Sequence, residues 1–252
     1  MNEFGGNVLK IHSIENDGEK VLCNKPYQYS IYTVSNEEIE IVGLSSFTVF
    51  VLKLQAGASI SGDLFETRLE THMAVQIEGY KQPLKLKVDN GTAVVLVAGS
   101  QEKSNSAKQG VFVKKSVQLY KVDKPWGHEL WINGEHELYA FKEIFIKAGT
   151  KTSLQYHNYK QETNLLVDGD ALLHYKSSYD TPNEKVKDND ISCVKISDVS
   201  SIDISPPVLH RLEAISDITL YETSTPHLND VIRISDDADR PDGRIDSEHK
   251  AK

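Results

Sequence analysis

Short apolar–polar alternations, each closed by a tight-turn pair, dominate this chain. Leu84-Lys85-Leu86-Lys87-Val88 keeps a period of two, then Asp89-Asn90-Gly91 leads into the apolar run Ala93 to Ala98. Period two sends alternate side chains to opposite faces of a strand, and Asn-Gly tolerates the positive φ of a tight turn. This predicts a hairpin. Glu129 to Ile132, Asn133-Gly134 and Leu138 to Ile146 predict a second. Asn164 to Val167, Asp168-Gly169 and Ala171 to Tyr175 form a third element of this kind, and Ile218 to Thr223 reads as a late strand. No long stretch keeps a period of 3.6, and only Leu64 to Thr71 reads as a short helix. Strands recurring every ~8–12 residues predict an all-β sandwich or barrel rather than an α/β fold.

The pattern also repeats. Phe50 to Gly57 resembles Glu143 to Gly149, and Gln76-Ile77-Glu78-Gly79 resembles Leu166-Val167-Asp168-Gly169. Self-similarity of this kind predicts two similar β domains, 1–115 and 116–240, followed by a polar tail, 241–252. The stretch from Gln101 to Gly110 has linker composition. Lys176 to Asp190 reads as an exposed loop, and the charge-rich stretch from Asp236 onward reads as either a loose tail or an arm wrapping a domain or partner.

Charge narrows the partners. With 37 acidic against 28 basic residues, the net charge of −9 disfavours nucleic acid and anionic membrane. A small anion remains possible, because one local basic group can hold it. Cys23 and Cys193 are the only cysteines, in no zinc-finger or C-x-x-C spacing, which fits a reducing compartment. The first residues carry no basic or apolar leader pattern, and no apolar run approaches the ~18 residues of a membrane span. The expected location is the cytoplasm.

The chemistry concentrates between Gly149 and Gly169. Gln155 and His157 lie two apart, so on a strand they face one side. Glu162 follows after room for a turn, and His210 stands before a later strand. Two imidazoles, a carboxylate and an amide oxygen converging inside a barrel would suit a divalent first-row metal.

The spacing from Gly149 through Gln155, His157 and Glu162 to Gly169 matches the first cupin motif, G-x5-H-x-H-x4-E-x6-G, with Gln155 at the first histidine. Ser153-Leu154-Gln155-Tyr156-His157-Asn158-Tyr159-Lys160-Gln161-Glu162 further resembles the S-L-Q-x-H-x-H-R-x-E signature of type II phosphomannose isomerases. Lys124-Pro125-Trp126-Gly127, Val208-Leu209-His210-Arg211-Leu212-Glu213 and Asn229-Asp230-Val231-Ile232-Arg233 resemble other segments of that family. The resemblance covers about residues 120–240 and departs at Tyr159, Lys160, Asn164, Pro207 and Ala214. It implies two tandem jelly-roll cupin domains, the first degenerate.

It also implies one divalent metal on Gln155, His157, Glu162 and His210: zinc first, with manganese, cobalt, nickel or iron accommodated. The implied activity is aldose–ketose isomerisation of a phosphorylated sugar in carbohydrate or polysaccharide-precursor metabolism. Arg211 and Lys160 are candidates to hold the phosphate, and Arg211 could instead steady an oxyanion. Glu222 and Lys151 are candidates for the base. Duller readings stand beside these: Arg211 in a structural salt bridge, Lys160 and Lys151 as surface lysines, Glu222 as a satisfied structural carboxylate. Trp126 and Trp131 read as core, and His72, His128, His136, His174 and His227 as structural or surface residues. Two alternatives complete the expectation: a non-catalytic bicupin binding a sugar or sugar nucleotide, and a non-haem Fe(II) oxygenase using two histidines and a carboxylate. A homodimer is expected by analogy with cupins.

Overall fold

The computed structural model describes residues 26–55, 57–80, 82–177, 186, 190–197 and 199–249, together with the backbone of strands Leu9–Ser13 and Lys20–Asn24. Most of the loop expected over Lys176 to Asp190 lies outside the described residues, as does the side chain of Cys23. Cys193 is exposed and free. The chain divides into two compact units. The N-terminal unit is Glu15–Tyr120 with Ile132–Ala140; the C-terminal unit is Met1–Ile14, Lys121–Trp131 and Phe141–Lys252.

Each unit is built from two antiparallel sheets. In the C-terminal unit a seven-stranded sheet runs Leu9–Ser13, Ser200–Ile204, Glu162–Asp168, Ile218–Ser224, Ala140–Ile146, Gly127–Asn133, Tyr120–Lys124. A five-stranded sheet runs Ser192–Ile196, Ala171–Lys176, Leu209–Ala214, Leu154–Tyr156, Ile232–Ser235. Ile144, Leu166, Ile202 and Leu220 of the larger sheet pack on Ala171, Leu173, Ile196 and Leu212 of the smaller one. Removing such apolar surface from water is what holds two sheets face to face. The N-terminal unit repeats the plan. Its six-stranded sheet runs Gly110–Lys114, Ala74–Glu78, Ser46–Leu54, Thr92–Ser100, Tyr27–Ser35, Lys20–Asn24. Its four-stranded sheet runs Glu38–Ile41, Leu84–Asp89, Gly57–Gly62, Phe65–Arg68. Val49, Val75 and Val95 meet Ile60, Leu84 and Leu86 in its core.

Several local expectations change. The hairpin predicted around Asn133-Gly134 joins neighbouring strands of one sheet. The turn at Asn90-Gly91 does not: φ is positive at both residues, but Leu84–Asp89 and Thr92–Ser100 belong to different sheets. Asp168-Gly169 likewise carries the chain from one sheet to the other. Turn chemistry reverses the chain equally well in both settings, so it does not reveal which sheet the next strand joins. The helix expected over Leu64 to Thr71 is a strand at Phe65–Arg68, paired with Gly57–Gly62. Phe65 and Thr67 are half-buried while Glu66 and Arg68 are exposed, so the period is two, and Leu64 points to solvent. The polar stretch from Gln101 lies within the N-terminal unit, where the buried Ser104 donates to Glu137.

The repeat is present in a different register from the one the glycines suggest. By sheet position, Ser46–Leu54 corresponds to Glu162–Asp168, and Leu84–Asp89 to Leu209–Ala214. Ser46 faces Ser100 and Glu78, the last residues of its two neighbour strands. Glu162 faces Ser224 and Ile204, also the last residues of theirs. Lys85 and His210 are each second in a six-residue strand. The N-terminal unit therefore has serine and lysine where the C-terminal unit has a glutamate and a histidine, which explains why its copy is degenerate.

Gly149 and Gly169 both need positive φ, at 74° and 87°. At Gly149 nothing lies within 4 Å of an added Cβ, whereas at Gly169 it would meet the Asp217 carbonyl oxygen at 2.2 Å. Gly149→Ala should therefore cost about 1–2 kcal/mol, the left-handed backbone penalty alone. Gly169→Ala should cost clearly more, because the backbone must also move. Denaturant unfolding of the two variants measures the difference; equal losses would contradict it.

Candidate metal centre

One end of the C-terminal barrel gathers the buried side chains of His157, Glu162, Asn164, His210 and Glu222. The chain leaves strand Leu154–Tyr156 at His157, turns through Asn158 to Gln161, and re-enters as strand Glu162–Asp168. The Asp230 carboxylate fixes that turn by accepting the backbone N–H groups of Asn158 (3.0 Å), Tyr159 (2.5 Å) and Lys160 (2.8 Å). These bonds hold Asp230 below the usual carboxylate range against the upward push of its partial burial. Within Glu162–Asp168, period two turns Glu162 and Asn164 into the barrel alongside Leu166. Glu222 stands opposite Asn164 on the neighbouring strand. His210 comes from the other sheet, opposite Gln155.

His157, Glu162 and His210 offer ligand atoms within 4.8 Å of one another, and all three are buried. Among the described residues this is the one group of three histidine, cysteine or acidic side chains so placed. The tautomers decide what it can hold. His157 Nδ1 bonds to the backbone carbonyl of Asp230, and His210 Nδ1 bonds to that of Val208 at 3.0 Å. A carbonyl only accepts, so both Nδ1 atoms carry a proton, and in the neutral ring the Nε2 atom then presents a lone pair. Burial pushes His157 below its ordinary value of 6.5, although Glu162 pulls the other way, so the ring is neutral at pH 7. Its Nε2 lies 3.4 Å from Glu162 Oε2, and His210 Nε2 lies 3.2 Å from Oε1, yet neither Nε2 makes a hydrogen bond. Lone pairs facing lone pairs in a dry interior are repulsive unless a cation lies between them. The donor set and its orientation therefore fit a divalent metal.

A second layer of charge surrounds this group. The Lys160 ammonium is buried between two carboxylates, 2.5 Å from Glu162 Oε2 and 2.9 Å from Glu222 Oε1. Burial alone would lower the Lys160 pKa, but the two glutamates raise it above the ordinary 10.5. Lys142 lies 3.3 Å from the same Glu222 oxygen, and Ser224 donates to that oxygen at 2.9 Å. Asn164 donates to Glu162 at 3.1 Å. Burial raises both glutamates, yet Lys160 with the two histidines outweighs it at Glu162, and Lys142 with Lys160 at Glu222, so both are held below the usual carboxylate range.

The other sequence candidates fall into two groups. Gln155 lines the same cavity, of about 120 Å³, and its Oε1 accepts from Ser153 at 2.7 Å. Lys151 and Arg211 do not line it. Lys151 lies 3.4 Å from Asp237, while Arg211 donates to the Ser235 carbonyl at 2.9 Å and lies 3.8 Å from Asp237. Arg211 follows His210 on a strand, so its side chain leaves from the opposite face. Lys142, Ser224 and Asp230 were not singled out by sequence reasoning. Lys142 had a signal: it shares strand parity with Ile144 and Ile146 in Ala140–Ile146, a charge at a position otherwise apolar and buried.

Further along the cavity, Glu129 accepts from Trp131 Nε1 at 3.0 Å and lies 3.5 Å from Lys124. Burial pushes this carboxyl up, but Lys142 and Lys124 prevail and hold it at about 2, from an ordinary 4.5. Glu162 and Glu222 shift the same way. The folded form thus binds protons less readily than the unfolded chain. These groups contribute stability above about pH 4.5, and the contribution is lost as pH falls through their folded values. The melting temperature should be level above pH 5 and drop steeply between about pH 4.5 and 2. A level profile down to pH 3 would contradict these pairings.

No family model matches the chain, and no curated protein matches it. Solved structures do. An IolB-like protein from Salmonella typhimurium superposes with a TM-score of 0.67 at 12% identity, covering 88% of this chain and 94% of that one. The oxalate decarboxylase of Lactobacillus farciminis, in a formate complex, gives 0.63 at 10% identity over 92% and 90%. The Bacillus subtilis oxalate decarboxylase, described for its Mn(II) centres, gives 0.58 at 8% identity over 82% and 71%. The fold is the tandem jelly roll of the bicupins, all-β, with the metal-type constellation in its second barrel. Among the described residues, no helix is long and apolar enough to cross a membrane.

Proposed function

We propose that the chain is a metal-dependent cupin enzyme that isomerises a phosphorylated sugar between aldose and ketose forms. The observation that carries the metal reading is the pair of buried imidazole Nε2 lone pairs aimed at the Glu162 carboxylate. His157, Glu162 and His210 would hold the ion, zinc first, with Gln155 beside them. The bound ion would supply Lewis acidity to neighbouring substrate oxygens. Lys142 and Lys160 balance Glu162 and Glu222, so a divalent ion leaves the pocket net positive and favourable to an anionic, oxygen-rich substrate. Glu222, fixed by Ser224, Lys142 and Lys160, is our candidate to take and return a proton. The surrounding barrel core keeps bulk water from that transfer. The isomerase reading is further supported by the resemblance of Ser153 to Glu162 to the phosphomannose isomerase signature. The test is a screen of aldose and ketose phosphates with metal-loaded protein. Interconversion that disappears on chelation supports the reading; turnover that survives in metal-free protein sinks it.

A second reading has an observation of its own. The Gln155 Oε1 already accepts from Ser153, and a donor set without it would be two histidines and one carboxylate. That set with open positions is the one non-haem Fe(II) oxygenases use. Oxygen consumption dependent on Fe(II) and an added organic substrate would favour it.

A further inference from the structure

The stretch after Asp236 is an arm folded onto its own barrel, and it brings arginines to the cavity. Its anchors are specific. Arg233 NH1 donates to the carbonyls of Pro241 and Gly243, and Asp242 accepts from the Arg233 backbone N–H at 2.6 Å. Arg240 pairs with Asp236 at 2.7 Å and lies 3.5 Å from Glu248, which in turn lies 2.9 Å from Lys124. Among the described residues, each lysine or arginine lining the cavity faces a carboxylate, with one exception. The exception is Arg244. Its guanidinium lies over the Trp131 ring, 5.3 Å from the centroid, and its buried Nε has no hydrogen-bond partner. Lys142 lies 5.3 Å from the same ring while holding Glu222, and Arg244 lines one pocket with Glu162 and His210 of the metal group.

A guanidinium is a planar fork of donors, and leaving them unmatched beside other cations is unfavourable. Stacking on an indole fixes its plane without using those donors. The anchored arm fixes its place before anything binds. We propose that Arg244 is the anion-binding residue of this cavity. It receives an oxyanion of the substrate, a carboxylate or a phosphate, through its unused donors, while Trp131 backs it. The proposal rests on the reading that the cavity is the substrate site and assigns that substrate a charged end. It also replaces Arg211 and Lys160 as the anion contact, since Arg211 does not line the cavity and the Lys160 ammonium is held between Glu162 and Glu222.

The test uses the full chain stripped of metal, titrated separately with inorganic phosphate and with malonate by calorimetry, with tryptophan emission as a reporter beside Arg244. The expected result is saturable binding of at least one anion, at least tenfold weaker in Arg244→Gln and partly restored in Arg244→Lys. Lys195→Gln, which removes a surface cation near Asp170, should bind as the parent does. Tighter phosphate binding identifies a phosphorylated substrate; tighter malonate binding identifies a carboxylate. Binding of neither anion, or equal binding by Arg244→Gln, overturns the proposal. Metal content measured on separate samples keeps the two readings apart. Arg244-dependent anion binding without metal uptake would refute only the metal reading, and metal uptake without anion binding would refute only this one.

Discussion

Lys160→Met should destabilise the metal-free protein by about 3–5 kcal/mol, the usual loss when one partner of a buried ion pair is removed. The ammonium is buried and shared between Glu162 and Glu222. Methionine keeps much of the volume, so the loss is chiefly electrostatic: two buried carboxylates, each pushed up by burial, lose a common counter-ion. A divalent ion on Glu162 would replace part of the missing charge. Thermal or urea unfolding with and without added metal should therefore show a larger metal-induced gain in the variant than in the parent. An unchanged midpoint for metal-free Lys160→Met would mean that the ammonium is not the counter-ion of this group.

Glu222→Gln should leave metal uptake intact and lower turnover by about 10²–10⁴, the range associated with loss of a positioned acid–base group. Glu222 is not among the three ligand residues, and its Oε1 is held by Lys142, Lys160 and Ser224. An amide of the same shape can still accept those hydrogen bonds but takes up a proton poorly. The informative measurement pairs steady-state kinetics on the substrate found in the sugar-phosphate screen with metal analysis of the same preparation. Turnover near the parent's would remove Glu222 from the chemistry and return attention to groups on the substrate itself.

Much of this was legible in the sequence, unevenly. The alternation in Leu84 to Val88 specified a strand correctly, because one buried face imposes period two, and the apolar run after Asp168-Gly169 marked another at Ala171–Lys176. The motif residues His157 and Glu162, read with His210 from a later segment, do meet in the fold as a buried group that could hold a metal, because the motif spacing sets which strand ends come together. What failed was whatever depends on distant pairing. Asn90-Gly91 read as a hairpin because local turn chemistry does not encode a change of sheet. The glycine repeat placed Ser46–Leu54 against the wrong strand because strand-to-turn junctions resemble one another; cross-strand register gives Ser46 as the counterpart of Glu162. Arg211 looked attractive by adjacency to His210, although neighbours on a strand point apart. Lys142 and Arg244 reach the cavity from strand Ala140–Ile146 and from the arm, far from the motif in sequence. Only the misplaced charge at Lys142 hinted at this. Nothing in the polar composition after Asp236 distinguished an anchored arm from a loose tail.

The most direct measurement is the metal content of the purified protein beside His157→Ala, each before and after reconstitution with zinc, manganese, cobalt, nickel and iron. The account predicts about one ion per chain in the parent and its loss in the variant, since His157 belongs to the His157–Glu162–His210 group that would hold the ion. Absence of metal from the parent under every condition, or equal content in the variant, would contradict the reading of the His157–Glu162–His210 group as a metal centre.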